Sequence, residues 1–252
     1  IEKGEYNMAL PILETQTFEL TLPSADVIVK FRPFLVKEEK ILLQALESNE
    51  PKQISQALKD IVKSCTFGQL DGENMPTFDL EYVFLQIRAK SVGEVTKLRM
   101  LCPDDKTTYG EAEIDLSKVE VEVDEKHTNN IVIDENKKIG LIMRYPTIDT
   151  VDPKKNVKGQ RTEQVFDMIA DCIHSIYEGE KTHSVSDYTK EDLHKFIEGL
   201  DRKSFDKLNQ FFDTMPQLQH EVEVENPNTK VKSKIVLKGA QDFFVLPSLT
   251  TT

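Results

Sequence analysis

The side chains best suited to chemistry are three cysteines, Cys65, Cys102 and Cys172, and scattered histidines that include His174, His183, His194 and His220. A thiol enzyme needs a cysteine beside a histidine that a third polar group orients. Cys172 and His174 stand two apart on a stretch whose apolar spacing predicts a helix, which puts them on different faces, with Cys172 on the apolar stripe. The other histidines show no zinc-protease spacing, and no glycine-rich phosphate loop occurs. Acids number 44, too many for any carboxylate pair to single itself out. Cys102-Pro103 lies at a hairpin tip where a zinc knuckle would carry a second thiolate two or three residues on. Asp105 and Lys106 stand there instead, and the later turn from Asn226 to Lys230 offers no cysteine or histidine. No residue is therefore expected to be catalytic, cofactor-binding or metal-ligating.

The rest of the composition bounds the function class. A chain of 252 residues, 38% hydrophobic and 30% charged, can bury a core and is not a disordered tract. A formal net charge of −12 argues against a nucleic-acid partner, because phosphate binding rests on clustered Lys and Arg. An odd number of widely spaced cysteines does not read as a disulfide framework and fits a reducing compartment. No run of about 18 apolar residues suggests a membrane span. Residues 1–7 precede Met8 and read as an extension or leader.

The elements follow from periodicity. Two short strands flank a turn at Pro23-Ser24-Ala25-Asp26, the second being Val27 to Phe31. Ile41, Leu42, Ala45 and Leu46 predict one amphipathic helix, and Ile54, Leu58, Ile61, Val62 and Cys65 predict another after Pro51. A third helix is expected from Thr77, with the hydroxyl as its cap and Asp79 and Glu81 at its positive end. Its apolar residues lie on more than one face, which predicts a central position. Beyond Gly93, alternation predicts a hairpin from Val95 to Leu116, a continuation at Val119 to Val123, and a second hairpin from Ile131 to Tyr145. Val165, Met168, Ile169, Cys172, Ile173 and Ile176 predict a helix. Thr189 and Asp192 predict a capping box, Ser204 a cap for the helix carrying Phe205 to Phe212, and Val222 and Val224 a last hairpin with Val231 to Leu237.

The expected fold is α+β, built of two helix-plus-β-hairpin modules: an N-terminal module over 8–148, a connector over 149–160, a C-terminal module over 161–246 and a tail over 247–252. Each module runs from a helix with a buried cysteine through a capped helix to a hairpin. An internal duplication would explain that order, although helix-then-hairpin succession is also common without one.

Four stretches carry a resemblance: Met8-Ala9-Leu10-Pro11, Phe18 to Ser24, Phe31-Arg32-Pro33-Phe34-Leu35-Val36-Lys37-Glu38-Glu39-Lys40, and Leu85 to Glu94. Occurring in this order, they make the chain resemble the baseplate hub assembly protein family of T-even-type contractile-tailed bacteriophages, over about 8–244. The resemblance implies a non-enzymatic protein that helps build the central hub through protein–protein binding, in the host cytoplasm during assembly and then in the virion tail baseplate if it stays. Implied partners are other baseplate hub proteins, with self-association open and with no nucleic acid, membrane or cofactor. Because such proteins can carry Cys-rich hairpin tips, the resemblance leaves two origins open for the tip at Cys102, a degenerate metal ribbon that lacks its ligands or a turn cysteine with no ligand role. The competing class is a small metal-binding or hydrolytic accessory enzyme of the tail.

Overall fold

The computed structural model describes residues 15–150 and 161–243. The leader, the connector from 151 and the tail expected from the sequence lie outside these residues.

The chain opens with strands Phe18–Leu22 (β1) and Val27–Phe31 (β2), paired antiparallel with Phe18 opposite Phe31 and Leu20 opposite Val29. Alternation sends Leu20, Leu22, Val29 and Phe31 into the first core. Helices Val36–Ser48 (α1) and Pro51–Cys65 (α2) follow, separated by Asn49 in the left-handed region. Pro51 occupies the first turn of α2, where its missing N–H costs nothing.

Helix Thr77–Val92 (α3) is the central element the sequence predicts. Leu80, Val83, Phe84 and Ile87 face the first core, whereas Leu85 and Ala89 face a second. Its start differs from the expectation. Pro76 is the cap residue and Thr77 already lies inside the helix, because its amide and hydroxyl both donate to the Pro146 carbonyl, at 2.9 and 3.0 Å. Asp79 does more than complement the helix dipole. It is fully buried and accepts from the Ser24 amide at 3.1 Å and from the Ser24 hydroxyl, which ties the first hairpin turn to α3.

Gly93, at φ 116°, ends α3 and turns the chain into strands Val95–Leu101 (β3) and Tyr109–Asp115 (β4), the predicted hairpin, with Leu98 opposite Ala112. Strand Glu120–Glu122 (β5) comes next, then Asn130–Asp134 (β6) and Ile139–Met143 (β7). Helix Arg161–Cys172 (α4) is shorter than its apolar stripe suggests. Ile173 and Ile176 belong to strand Ile173–Glu178 (β8), which pairs with β7 so that Ile176 faces Leu141. The β-branched side chains suit both states, and the open edge of β7 decides for the strand. Strand Lys181–Ser184 (β9), not anticipated from the sequence, completes the sheet β6-β7-β8-β9.

Helix Lys190–Glu198 (α5) has the predicted capping box: the Thr189 hydroxyl accepts from the Asp192 amide at 3.2 Å and the Asp192 carboxylate receives the Thr189 amide at 3.1 Å. Helix Arg202–Thr214 (α6) is capped by Asp201, whose carboxylate accepts the Ser204 amide at 2.8 Å. Ser204 is the donor at the third helical position and not the cap. The chain closes with Gln217–Glu225 (β10), Lys232–Lys238 (β11) and one helical turn at Gly239–Asp242.

Strand β10 pairs with both β11 and β5, giving a sheet β11-β10-β5. A second core forms where Leu218, Val222, Val224 and Leu237 meet Leu98, Ile114, Leu116 and Val119. A third packs Leu141 and Met143 of β7 against Ile169, Leu193, Ile197, Leu208 and Phe211 of the helices. Two of the three cores thus draw residues from both sides of 149–160, so packing units and sequence segments do not coincide. The architecture is mixed α+β, with helices set against small antiparallel sheets.

Candidate functional sites: thiols, histidines and the paired hairpin tips

The three cysteines are free and buried, one in each core. Separate cores prevent any pair from bonding. Burial pushes the Cys65 thiol up to about 11 and the Cys172 thiol up to about 12, and raises Cys102 as well. A thiol at such values is protonated at neutral pH and is a poor nucleophile and metal ligand.

Cys65 borders a buried ion pair at the join between β2 and α1. Arg32 donates to Glu38 at 2.9 Å, to the Ser64 hydroxyl at 3.0 Å and to the Pro33 carbonyl at 2.9 Å. Glu38 also accepts from the Ser64 hydroxyl at 2.7 Å and from the Leu35 amide at 2.9 Å. Burial alone would raise the Glu38 carboxyl, but these bonds hold it down at about 2. A second buried charge, Lys59, pairs with Glu73 at 3.0 Å and with Asp149. Both networks join segments distant in sequence, and their geometry is that of structural fasteners. In the stretch from Phe31 to Lys40, Phe34 packs partly buried against the first core, with its amide donating to Ser91 at 2.9 Å, while Val36 stands 80% exposed.

The histidines are dispersed. His127 stacks on Tyr145 and lies tilted against Phe211, which itself stacks on Tyr145, and its ring nitrogens are 3.0 Å from the Thr214 hydroxyl and 3.1 Å from the Tyr145 hydroxyl. Burial lowers its pKa. His183 contacts the Tyr188 hydroxyl at 2.5 Å beside a groove of about 490 Å³ whose apolar wall includes Ile139, Ile176, Leu193 and Phe196. His194 lies 3.1 Å from Asp167, which Lys190 also approaches, at 3.2 Å. His174 lies exposed on β8, in a strand and not on the helix of Cys172. Among the described residues, no group of three or more His, Cys, Asp and Glu side chains stands close enough to hold a metal.

The tightest polar constellation lies where the tip of the β3–β4 hairpin meets the tip of β10–β11. The fully buried Asn226 donates its side-chain amide to both oxygens of Asp104, at 3.0 and 3.1 Å, and to Asp105 at 3.0 Å. Thr229 donates to Asp104 at 2.5 Å, and Asn228 donates to Thr108 at 3.0 Å. Asn226 and Thr229 hold the Asp104 carboxyl below the usual range, and Thr108 and neighbouring amides do the same for Asp105. The arrangement orients two hairpins and holds no activated nucleophile. Sequence reading missed this meeting because it tested the second tip only for Cys and His. The signal available was the shared X-Pro-X-X-Lys pattern of the two tips.

Comparison with known proteins adds what the geometry does not contain. Neither the curated proteins nor the solved structures returned a match. A family model described as T4 bacteriophage base plate protein matches residues 15–245, a span that takes in all three cores and both hairpin tips, and the chain belongs to that family.

Proposed function

We propose that this chain acts in the central hub of the baseplate, as a hub subunit or as a factor in hub assembly, by protein–protein binding and without catalysis. The observation that carries the reading is the family match across 15–245, within which three of the four resembling stretches lie. The surface chemistry supports binding without a phosphate backbone. The net charge is −12, the outer lysines of β11 are paired with acids of β10, as in Lys232 with Glu223 at 2.8 Å, and no helix among the described residues is long and apolar enough to cross a membrane. Partners on this reading are other hub proteins, met in the host cytoplasm during assembly, and a second copy of the chain is an outcome of the same experiment. The test is co-expression of the tagged chain with the phage's hub and wedge subunits separately. Recovery of hub subunits is expected; recovery of wedge subunits alone, or of neither, contradicts the proposal. Mass spectrometry of finished particles then separates a retained subunit from a departing assembly factor.

A further inference from the structure

A zinc ribbon sets two ligands, separated by two residues, on each of two hairpin tips, and the four ligands close a tetrahedron around the ion. Both tips here are built alike. In the first, the Lys106 amide donates to the Cys102 carbonyl at 2.9 Å and the Cys102 amide donates to Thr108 at 2.8 Å. In the second, the Lys230 amide donates to the Asn226 carbonyl at 2.9 Å and the Asn226 amide donates to Val231 at 2.9 Å. Each tip has proline in second place and a lysine in the left-handed region in fifth place, at φ 54° and 63°. In each, the fourth side chain accepts from the amide two residues on: Asp105 from Thr107 at 3.0 Å and Thr229 from Val231 at 3.3 Å.

The tips also converge, as ligand-bearing tips must, with the Asn226 amide 3.0 Å from the Asp105 carboxylate. We infer that they are the two knuckles of a zinc-ribbon scaffold, with Cys102, Asp105, Asn226 and Thr229 at the four ligand positions, held together in this chain by hydrogen bonds in place of the ion. The residues do not fit zinc. One thiol remains, and amide and hydroxyl oxygens are poor substitutes for thiolate or imidazole. The Asn226 side chain shows how the substitution works. Its carbonyl oxygen accepts the Asn228 and Thr229 amides at 2.9 and 3.2 Å, which fixes its NH2 toward the two carboxylates. A pair of N–H donors thus satisfies oxygens that a bound cation would otherwise face.

The test is to rebuild the ligand set. The D105C/N226C/T229C variant of the full chain is expected to take one equivalent of Co(II) with the intense visible absorption of a tetrahedral thiolate site, to exchange it for Zn(II), and to gain thermal stability that a chelator removes. The unsubstituted chain is expected to give no such spectrum and to keep its thermal midpoint in chelator. A folded variant that binds no Co(II), or binds it octahedrally, overturns the inference, as does a chelator-sensitive unsubstituted chain. If the triple variant fails to fold, N226C/T229C, which keeps Asp105 as an oxygen ligand, is refolded with Co(II). Absence of the tetrahedral spectrum there as well overturns the inference.

Discussion

Replacing Glu38 by Gln keeps the shape of the side chain and removes its charge, so it reads what the carboxylate contributes together with Arg32, Ser64 and the Leu35 amide. Both side chains are nearly inaccessible, at 9% and 3%, so solvent does not screen the interaction. The Glu38 carboxyl sits at about 2 against an ordinary 4.5, which at about 1.4 kcal/mol per pH unit is roughly 3.5 kcal/mol. Removing one partner of a buried pair costs about 3–5 kcal/mol, because the other charge is left uncompensated. The two routes meet at about 3.5 kcal/mol at neutral pH. The folded-state value is depressed, so this stability is complete above pH 4.5 and is lost as pH falls toward 2. Urea unfolding of the parent and of Glu38→Gln between pH 7 and pH 3 is the assay. The parent should exceed the variant by about 3.5 kcal/mol at pH 7, with the gap narrowing below pH 4.5. Adding Arg32→Met to Glu38→Gln should recover part of the loss, since an apolar residue there leaves no orphaned charge. A variant equal to the parent at pH 7, or a gap independent of pH, would refute the reasoning.

Three further outcomes are expected. Gly140→Ala places a Cβ 2.2 Å from the Tyr177 hydroxyl and 2.8 Å from the Ile131 carbonyl, so the thermal midpoint by circular dichroism should fall, by an amount equivalent to about 1–3 kcal/mol; an unchanged midpoint would contradict the packing of β6, β7 and β8. His127 is held neutral by burial, with Asp124 opposing, so its contribution is present above its ordinary value near 6.5 and is lost as pH falls through the lowered folded value; His127→Gln should flatten the stability profile in that window, and an identical slope in parent and variant counts against it. Phe34→Ala removes a ring only partly buried on the first core, so its cost should be about 2 kcal/mol, below the 3–5 of a fully buried Phe; a variant of unchanged stability that no longer binds hub subunits would move the ring from core to interface.

Local signals carried much of the fold. Strict alternation in Leu20, Leu22, Val29 and Phe31, in Leu98, Ala112 and Ile114, and in Val222 and Val224 marks three hairpins and their inward faces, while the register of each pair comes from the structure. The Thr189–Asp192 box placed α5. What local reading could not supply is what depends on a distant partner. Ile173 and Ile176 continue the stripe of α4 in sequence, yet β7 draws them into a strand. Thr77 is a competent cap that Pro146 engages instead, and Asp201 outcompetes Ser204 because its carboxylate sits at the right distance from the Ser204 amide. The boundary at 149–160 follows composition, whereas β5 pairing with β10 and β7 pairing with β8 span it. The burial of Cys65 and Cys172 is legible from their places on apolar stripes, whereas that of Cys102, at a hairpin tip, is not. The polar constellation of the tips is not legible either, because its two halves are about 120 residues apart and the second offers no cysteine or histidine.

The central claim, action in building the baseplate hub, is tested most directly in infected cells. A phage with a stop codon early in this reading frame, grown in a non-suppressing host, should accumulate wedges and free hub subunits but no hub-containing baseplates by electron microscopy, with assembly restored by supplying the chain in trans. Complete baseplates and infectious particles from the same infection would contradict the account.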